Sequence, residues 1–332
     1  GLFRINNPTT DYNVLTTQTP QSGPAENPIE VGVELLKVGR GGEGGELVIG
    51  GMATDLNNNW DYTDNALEEG VQVFNVLMDG DRTQFSSLAG LYSTNNTLDT
   101  VNVTWAADSR ADLIIGNQNT IDNRSVTANV APNSAASPVG DGFNSVTTVY
   151  NNALKDVRVF NAANNGVTAA VGSAAAVSTD VTLWAHLSDE VVAKYMDRTD
   201  IAAPAADNAN FVYTFGAGND TLNLNISEAN LAASGTSGRE DFTMAVNSGA
   251  GNDTVVVQIG DGQATSTTPW YVNTTIQDNL SIATGAGNDT VHANGAGAWI
   301  INTGEGNDAI YSDNSGRQVI TGNNAAVVES NA

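Results

Sequence analysis

The chain has 332 residues, with 37 Asp and Glu against 12 Lys and Arg, and a formal net charge of -25 at pH 7. This balance argues against nucleic acid and anionic membrane surfaces as partners, because phosphate binding needs a basic footprint. It is typical of a self-repelling particle or of a protein that binds cations. Cysteine is absent, which excludes a disulfide framework and a cysteine-based zinc site. No run of eighteen apolar residues occurs, so we expect no membrane insertion.

The first 205 residues have the pattern of β-structure. Short β-branched stretches alternate with clusters of Asn, Gly, Asp and Ser, which favours a sandwich, a barrel or a solenoid over a helical bundle. In one stretch Val71, Val73 and Leu77 alternate with other residues and predict a strand whose buried face they form. The predicted strands lie at 46–49, 71–77, 100–105, 113–115 and 157–160.

One segment, 188–198, departs from this β-pattern. It opens with an N-cap type residue and two acids, and its apolar residues fall near one helical face, so it predicts a short amphipathic helix. Pro204 follows and cannot continue a helix, so we place a domain boundary near residue 205. The prediction is a β-rich N-terminal region over 1–205, of one or two subdomains, followed by a second region over 206–332. The chain begins at Gly1 without a charged-then-apolar leader, which predicts a processed product or a fragment.

The second region repeats one short unit four times. The copies read FGAGNDTL, SGAGNDTV, TGAGNDTV and TGEGNDAI, and their aspartates are Asp220, Asp253, Asp289 and Asp308. The successive spacings of 33, 36 and 19 residues are close to once or twice eighteen, which suits the coils of a parallel β-solenoid. On this interpretation only Asp289 and Asp308 lie one coil apart, and some coils lack the unit. The segment 319–328 repeats the frame without an aspartate and predicts a terminal, capping coil.

Each part of the unit has a physical role. Its two glycines permit positive φ, so the backbone can turn sharply and point carbonyl groups inward. The aspartate adds negative charge beside those carbonyls, and stacked turns then form an oxygen-lined gap. Such a gap suits a hard cation that takes six to eight oxygens, calcium better than magnesium. The apolar residues that follow, and that we expect to point into the coil interior, are Leu222, Val255, Val291 and Ile310.

The four units resemble the calcium-binding nonapeptide of the RTX (repeats-in-toxin) proteins, G-G-x-G-x-D-x-U-x, whose tandem copies wind into a parallel β-roll. The resemblance covers 211–328, about a third of the chain. It implies that calcium is the bound ion and that the solenoid is of the β-roll type. The implied side-chain ligands are Asp220, Asp253, Asp289 and Asp308. The implied carbonyl ligands are Gly216, Gly218, Gly249, Gly251, Gly285, Gly287, Gly304 and Gly306.

The sequence also departs from the family pattern. No second nonapeptide follows each copy, so calcium is expected along one edge of the solenoid only. Asp253 would need a further donor, for which Asp261 and Asp278 are candidates. Weaker echoes of the unit at Asp99 and Asp112 are interpreted as strand-edge turns. The first glycine of the family pattern is replaced here by Phe215, Ser248, Thr284 and Thr303.

No catalytic motif accompanies the repeats. The two histidines, His186 and His292, are not part of an HExxH motif, which excludes the zinc proteases that carry such repeats. No Gly-x-Ser-x-Gly elbow supports a lipase-type serine site. Acidic residues are numerous, but nothing selects one catalytic pair among them. We therefore predict a protein that is not an enzyme.

Taken together, the RTX-like units, the three lysines and the absent cysteine resemble secreted bacterial surface proteins, including calcium-dependent surface-layer (S-layer) proteins and adhesins. The resemblance implies an extracellular structural protein of a bacterial cell surface. In such a protein, calcium would rigidify the solenoid and support self-association into a lattice or filament. The alternatives are a secreted adhesin that binds cell-surface glycans, a virion surface protein, and a polysaccharide-modifying enzyme built on a β-solenoid.

Overall fold

The computed structural model describes a stack of β-strands. The described residues are 2–6, 30–39, 44–49, 71–80, 85–93, 97–116, 153–168, 177–188, 191, 211–226, 243–259, 279–295, 298–314, 318–323 and 326–329. The strands of the first half are β1 (Leu2–Asn6), β2 (Glu30–Leu36), β3 (Glu46–Ile49), β4 (Val73–Asp79), β5 (Phe85–Leu88), β6 (Gly90–Ser93), β7 (Thr100–Trp105), β8 (Asp112–Ile115), β9 (Leu154–Lys155) and β10 (Val159–Asn161). The remaining strands are β11 (Val167–Thr168), β12 (Val177–Ser178), β13 (Val181–Leu187), β14 (Phe211–Thr214), β15 (Thr221–Ile226), β16 (Thr243–Asn247), β17 (Thr254–Ile259), β18 (Asn279–Ala283), β19 (Thr290–Gly295), β20 (Ala298–Asn302), β21 (Ala309–Asn314), β22 (Gln318–Thr321) and β23 (Ala326–Glu329). Among these residues, no helix has the length and apolarity needed to cross a membrane.

Two long sheets contain most of the strands. The first has the order β1-β2-β4-β7-β10-β14-β16-β18-β20-β22, and the second has the order β5-β8-β13-β15-β17-β19-β21-β23, with β9 also paired to β13. Their neighbouring strands are parallel, except that β1 runs antiparallel to β2. From β14 onward each coil contributes one strand to each sheet, β14 with β15 and so on to β22 with β23. This arrangement is a parallel β-solenoid, as the sequence predicts, and the segment 319–328 falls in its last described coil.

The core lies between the two sheets, because alternate residues of each strand point inward. In the second sheet the first apolar residue after each repeated unit is at most 1% exposed, which confirms the predicted inward orientation. In the first sheet Phe211, Met244, Leu280 and Trp299 are in register and are also buried. Each inward side chain therefore stacks on the equivalent side chain of the next coil, and the columns form one continuous apolar core.

Most of the described strands of the N-terminal region belong to the same two long sheets, so of the alternatives left by the sequence the solenoid describes them. The exceptions form two separate two-stranded sheets, one of β3 with β6 and one of β11 with β12. Both sheets run across residue 205, since β10 pairs with β14 and β13 pairs with β15. The domain boundary itself stays a prediction. The predicted helix over 188–198 lies outside the described residues, apart from Ser188 and Val191.

The predicted buried face is wrong within β4, although Val71, which precedes the strand, is buried as predicted. The strand β4 buries Phe74, Val76 and Met78, all at most 1% exposed, whereas Leu77 is 37% exposed. Both alternating sets of this strand contain apolar residues, so the pattern alone did not determine which set faces the core. The larger set, with its phenylalanine and methionine, fills the space between the sheets.

Candidate metal-binding site

The four repeated aspartates lie on four consecutive coils. Each one directly precedes a strand of the second sheet, and β15, β17, β19 and β21 are successive neighbours in that sheet. The expectation that only Asp289 and Asp308 lie one coil apart is therefore wrong, because the spacings of 33 and 36 residues each correspond to a single coil. Asp253 has Asp220 and Asp289 as its neighbours. The other donors suggested for it, at 261 and 278, lie outside the described residues.

The aspartates form a column that is joined by hydrogen bonds. The backbone N–H of Asp220 donates to Oδ1 of Asp253 at 2.8 Å. The N–H of Asp253 donates to Oδ1 of Asp289 at 2.9 Å, and that of Asp289 donates to Oδ1 of Asp308 at 3.0 Å. All four side chains are buried, with at most 3% of each residue exposed. We call these four residues the aspartate column.

The other carboxylate oxygen of each member is the unusual feature of this site. In the described part of the chain, Oδ2 of all four aspartates is buried and has no hydrogen-bond partner. Burial raises the pKa of Asp220 to about 7 and that of Asp253 to about 6, and the carboxylate of the next coil adds to each rise. Burial also raises the pKa of Asp289. A buried carboxylate with an unpartnered oxygen is costly, and either a proton or a bound cation would stabilise it.

A second ladder runs outside the aspartate column. Its members are the exposed asparagines that precede the aspartates, and the Oδ1 of each of the first three accepts the N–H of the asparagine in the following coil. The distances are 2.9 Å from Asn252 to Asn219, 2.7 Å from Asn288 to Asn252 and 2.9 Å from Asn307 to Asn288. The aspartates instead accept from the preceding coil. The Asn-Asp dipeptides of successive coils are therefore joined by two hydrogen bonds that run in opposite directions along the stack.

The asparagine ladder continues into coils without the repeated unit. The N–H of Asn219 donates to Oδ1 of Asp180 at 2.7 Å, and the N–H of Asp180 donates to Oδ1 of Asp112 at 2.9 Å. Asp112, for which the sequence predicts a strand-edge turn, is thus the first described member of this ladder. Asp99 instead forms a two-point ion pair with Arg158, with Oδ–N distances of 2.9 and 3.0 Å.

The glycines of the unit allow the coils to approach closely. A Cβ atom on Gly287, where φ is +148°, would lie 1.5 Å from the carbonyl oxygen of Gly251. Positive φ occurs at both glycines of the last three units but not at Gly216 or Gly218, so the prediction is wrong for the first unit. The first glycine carbonyl of each unit accepts an N–H from the next coil, as in the 2.8 Å bond from Ala250 to Gly216. These carbonyls therefore point along the stack, and their role as ligands stays a prediction.

The donor set of the column fits a hard cation. It consists of the four Oδ2 atoms and the buried hydroxyl residues Ser248, Thr284 and Thr303, all of which offer oxygen. In the described residues no three acidic or histidine side chains converge on one point. A cation here would therefore take carboxylates from two coils and complete its shell with hydroxyl or carbonyl oxygens.

The histidines do not join this site. His186 lies on β13 and His292 on β19, and the strands β15 and β17 lie between them in the sheet. His292 stacks on the ring of Tyr311, with centroids 4.6 Å apart and an interplanar angle of 9°. The structure thus brings together the aspartates but not the histidines.

Two residues of the site were missed by sequence reasoning, Asn165 and Asp180. Both belong to the coil before the first repeated unit, in which β11 and β12 separate them along the chain. The signal that could have found Asp180 is the Asp-Val-Thr sequence at 180–182, which is in register with Asn-Asp-Thr at 219–221.

Comparison of the chain with known protein families, with characterised proteins and with solved structures finds no match, so the resemblance to RTX proteins stays a prediction.

Proposed function

We propose that this protein is a structural component of an extracellular, bacterial cell surface, in which calcium held by the aspartate column stiffens the solenoid. The observation that carries the proposal is the column itself. It places one buried carboxylate on each of four consecutive coils, each with an unpartnered oxygen. Such an array is destabilising as long as it is ionised and unneutralised.

Calcium would supply the missing positive charge and the missing coordination. The residues that would hold it are the four aspartates, with Ser248, Thr284 and Thr303 as neutral oxygen donors. The predicted glycine carbonyls would complete the shell. Because the coils repel without the ion and are joined with it, calcium binding would be coupled to the stability of the stack.

The outer face of the first sheet, from β14 onward, supports a role in self-association. The outward residues of β14 and β16 are uncharged, namely Val212, Thr214, Thr243, Ala245 and Asn247. Further along the same sheet, Ile300 and Val319 are in register and are 47% and 41% exposed. In a chain with a net charge of -25, uncharged faces are where two copies can meet with least repulsion.

The test of the calcium proposal is a thermal melt of the full chain in excess EGTA and again with added calcium. Calcium at a hundred times its Kd should stabilise the protein by about 2.7 kcal/mol for each independent site. An Asp253→Asn variant should lose much of this gain, whereas Asp108→Asn, which changes an exposed carboxylate, should keep it. Identical melts of the unmodified protein with and without calcium would refute the metal proposal.

Self-association is tested separately by electron microscopy. Sheets or filaments that form with calcium and disperse in EGTA would support the structural role. A protein that binds calcium but stays monomeric at high concentration would retain the calcium site and contradict assembly. Retention of that monomer on a glycan array would favour the adhesin alternative.

A further inference from the structure

The aspartate column has a distinct N-terminal end, formed by Asn165. This residue lies in the turn of the coil that precedes Asp220, and it is only 3% exposed. Its Nδ2 donates to Oδ1 of Asp220 at 2.6 Å and to the carbonyl oxygen of Thr179 at 3.1 Å. Its Oδ1 accepts the N–H of Gly216. The buried carboxamide therefore uses both of its ends in hydrogen bonds to the first repeated unit and to its own coil.

Asn165 supplies a polar side chain at a place where the first unit has none of its own. In the second and third units the residue before the first glycine is Ser248 or Thr284, whose hydroxyl donates to the carbonyl oxygen of the equivalent residue in the next coil at 3.5 or 3.3 Å. The first unit has Phe215 at this position, which offers no such group. The side-chain hydrogen bond to Asp220 comes instead from Asn165, one coil earlier.

The coil that contains Asn165 has no carboxylate in register with Asp220. Thr182 is in register with Thr221, so the position equivalent to Asp220 is occupied by Val181, which is fully buried. The N–H of Val181 donates to Oδ1 of Asp220 at 2.7 Å. On this side Asp220 thus faces one backbone donor, one amide donor and an apolar side chain. The nearby carboxylate of the same coil, Asp180, lies on the asparagine ladder, where its Oδ1 accepts the N–H of Asn219.

We propose that Asn165 is a positioning residue that closes the column and limits the number of cations it holds. The inference rests on the proposed function. Cations would occupy the three spaces between successive aspartates, and the amide of Asn165 would take the place of a cation in the space before Asp220. A carboxylate in place of this amide would create a further pair, equivalent to the pair of Asp220 and Asp253.

The test counts bound calcium in the full chain by equilibrium dialysis, with calcium present throughout purification. Asn165→Asp is expected to bind one calcium ion more than the unmodified protein. Asn164→Asp, which adds the same charge at the exposed neighbouring residue, is expected to bind the same number as the unmodified protein. An equal count for Asn165→Asp and the unmodified protein would overturn the inference, while an unmodified protein that binds no calcium would overturn the proposed function and with it this inference.

A neutral variant tests the same role if Asn165→Asp does not fold. In EGTA, Asn165→Leu should melt several degrees below the unmodified protein, because Asp220 loses a donor and Gly216 loses an acceptor. With calcium it should bind the same number of ions as the unmodified protein, since no carboxylate is added. An unchanged melting temperature in EGTA, or a raised calcium count, would contradict the positioning role.

Discussion

Acidification is expected to stabilise the protein when calcium is removed. Burial raises the pKa of Asp220 to about 7 and that of Asp253 to about 6, from an ordinary value of 3.8. When folding raises the pKa of a carboxyl group, the stabilisation is complete below the unfolded pKa and is lost as the pH rises through the folded pKa. The free energy of unfolding of the calcium-free protein should therefore fall as the pH rises from about 5 to about 7.5.

The size of this effect follows from the two pKa values. For each pH unit between its unfolded and folded pKa values, one such carboxyl group changes the free energy of unfolding by about 1.4 kcal/mol. Between pH 7.5 and pH 5, Asp220 contributes over about two units and Asp253 over about one, so the total is about 4 kcal/mol. With an unfolding entropy of about 2.1 cal/mol/K per residue, this corresponds to a shift of about 6 °C for the whole chain unfolding as one unit.

The assay is a series of thermal melts in EGTA, followed by circular dichroism between pH 5 and pH 7.5. Asp220→Asn retains an oxygen for the N–H of Val181 and removes the titrating group, so it should lose more than half of the pH dependence. Asp108→Asn should retain all of it, because this side chain is exposed. A calcium-free protein whose melting temperature falls on acidification, or an Asp220→Asn variant with the full pH dependence, would refute the reasoning.

Three further measurements test other parts of the site. Calcium should raise the melting temperature less as the pH is lowered from about 7.5 to about 5, because protons compete with the cation for the carboxylates. Gly287→Ala should cost about 3 kcal/mol or more in a denaturant melt, whereas Gly45→Ala should change stability by less than about 0.5 kcal/mol, since its Cβ would meet no atom within 4 Å. Equal effects of the two substitutions would contradict the close approach of the coils. Asn252→Ala removes the acceptor of the Asn288 N–H and should cost about 1 kcal/mol, and Asn252→Asp, which keeps an acceptor oxygen, should cost less.

The repeated unit allowed the fold to be predicted, but its spacing was misleading. Gly-x-Gly-Asn-Asp followed by an apolar residue predicts a turn and an inward strand wherever it occurs. The number of residues between two copies does not report the number of coils, because it also includes residues that join the two sheets. Strand pairing resolves this, since β15 is hydrogen-bonded directly to β17. The aspartate column therefore has four members on consecutive coils instead of one adjacent pair.

The chemistry of the column also depends on contacts that no local pattern contains. Asn165 is 55 residues from Asp220 in the chain, and Asp180 is 39 residues from Asn219. The unpartnered oxygens are a property of burial, which depends on the stacking of one coil on the next. The sequence by itself determined the Gly-x-Gly-Asn-Asp turns, the inward apolar residues that follow them and the excess of carboxylates, because these follow from residue type and short spacing. Only the tertiary structure decided which carboxylates are neighbours, what closes their column and which of their oxygens lack a partner, because these follow from parallel pairing between residues far apart in the chain.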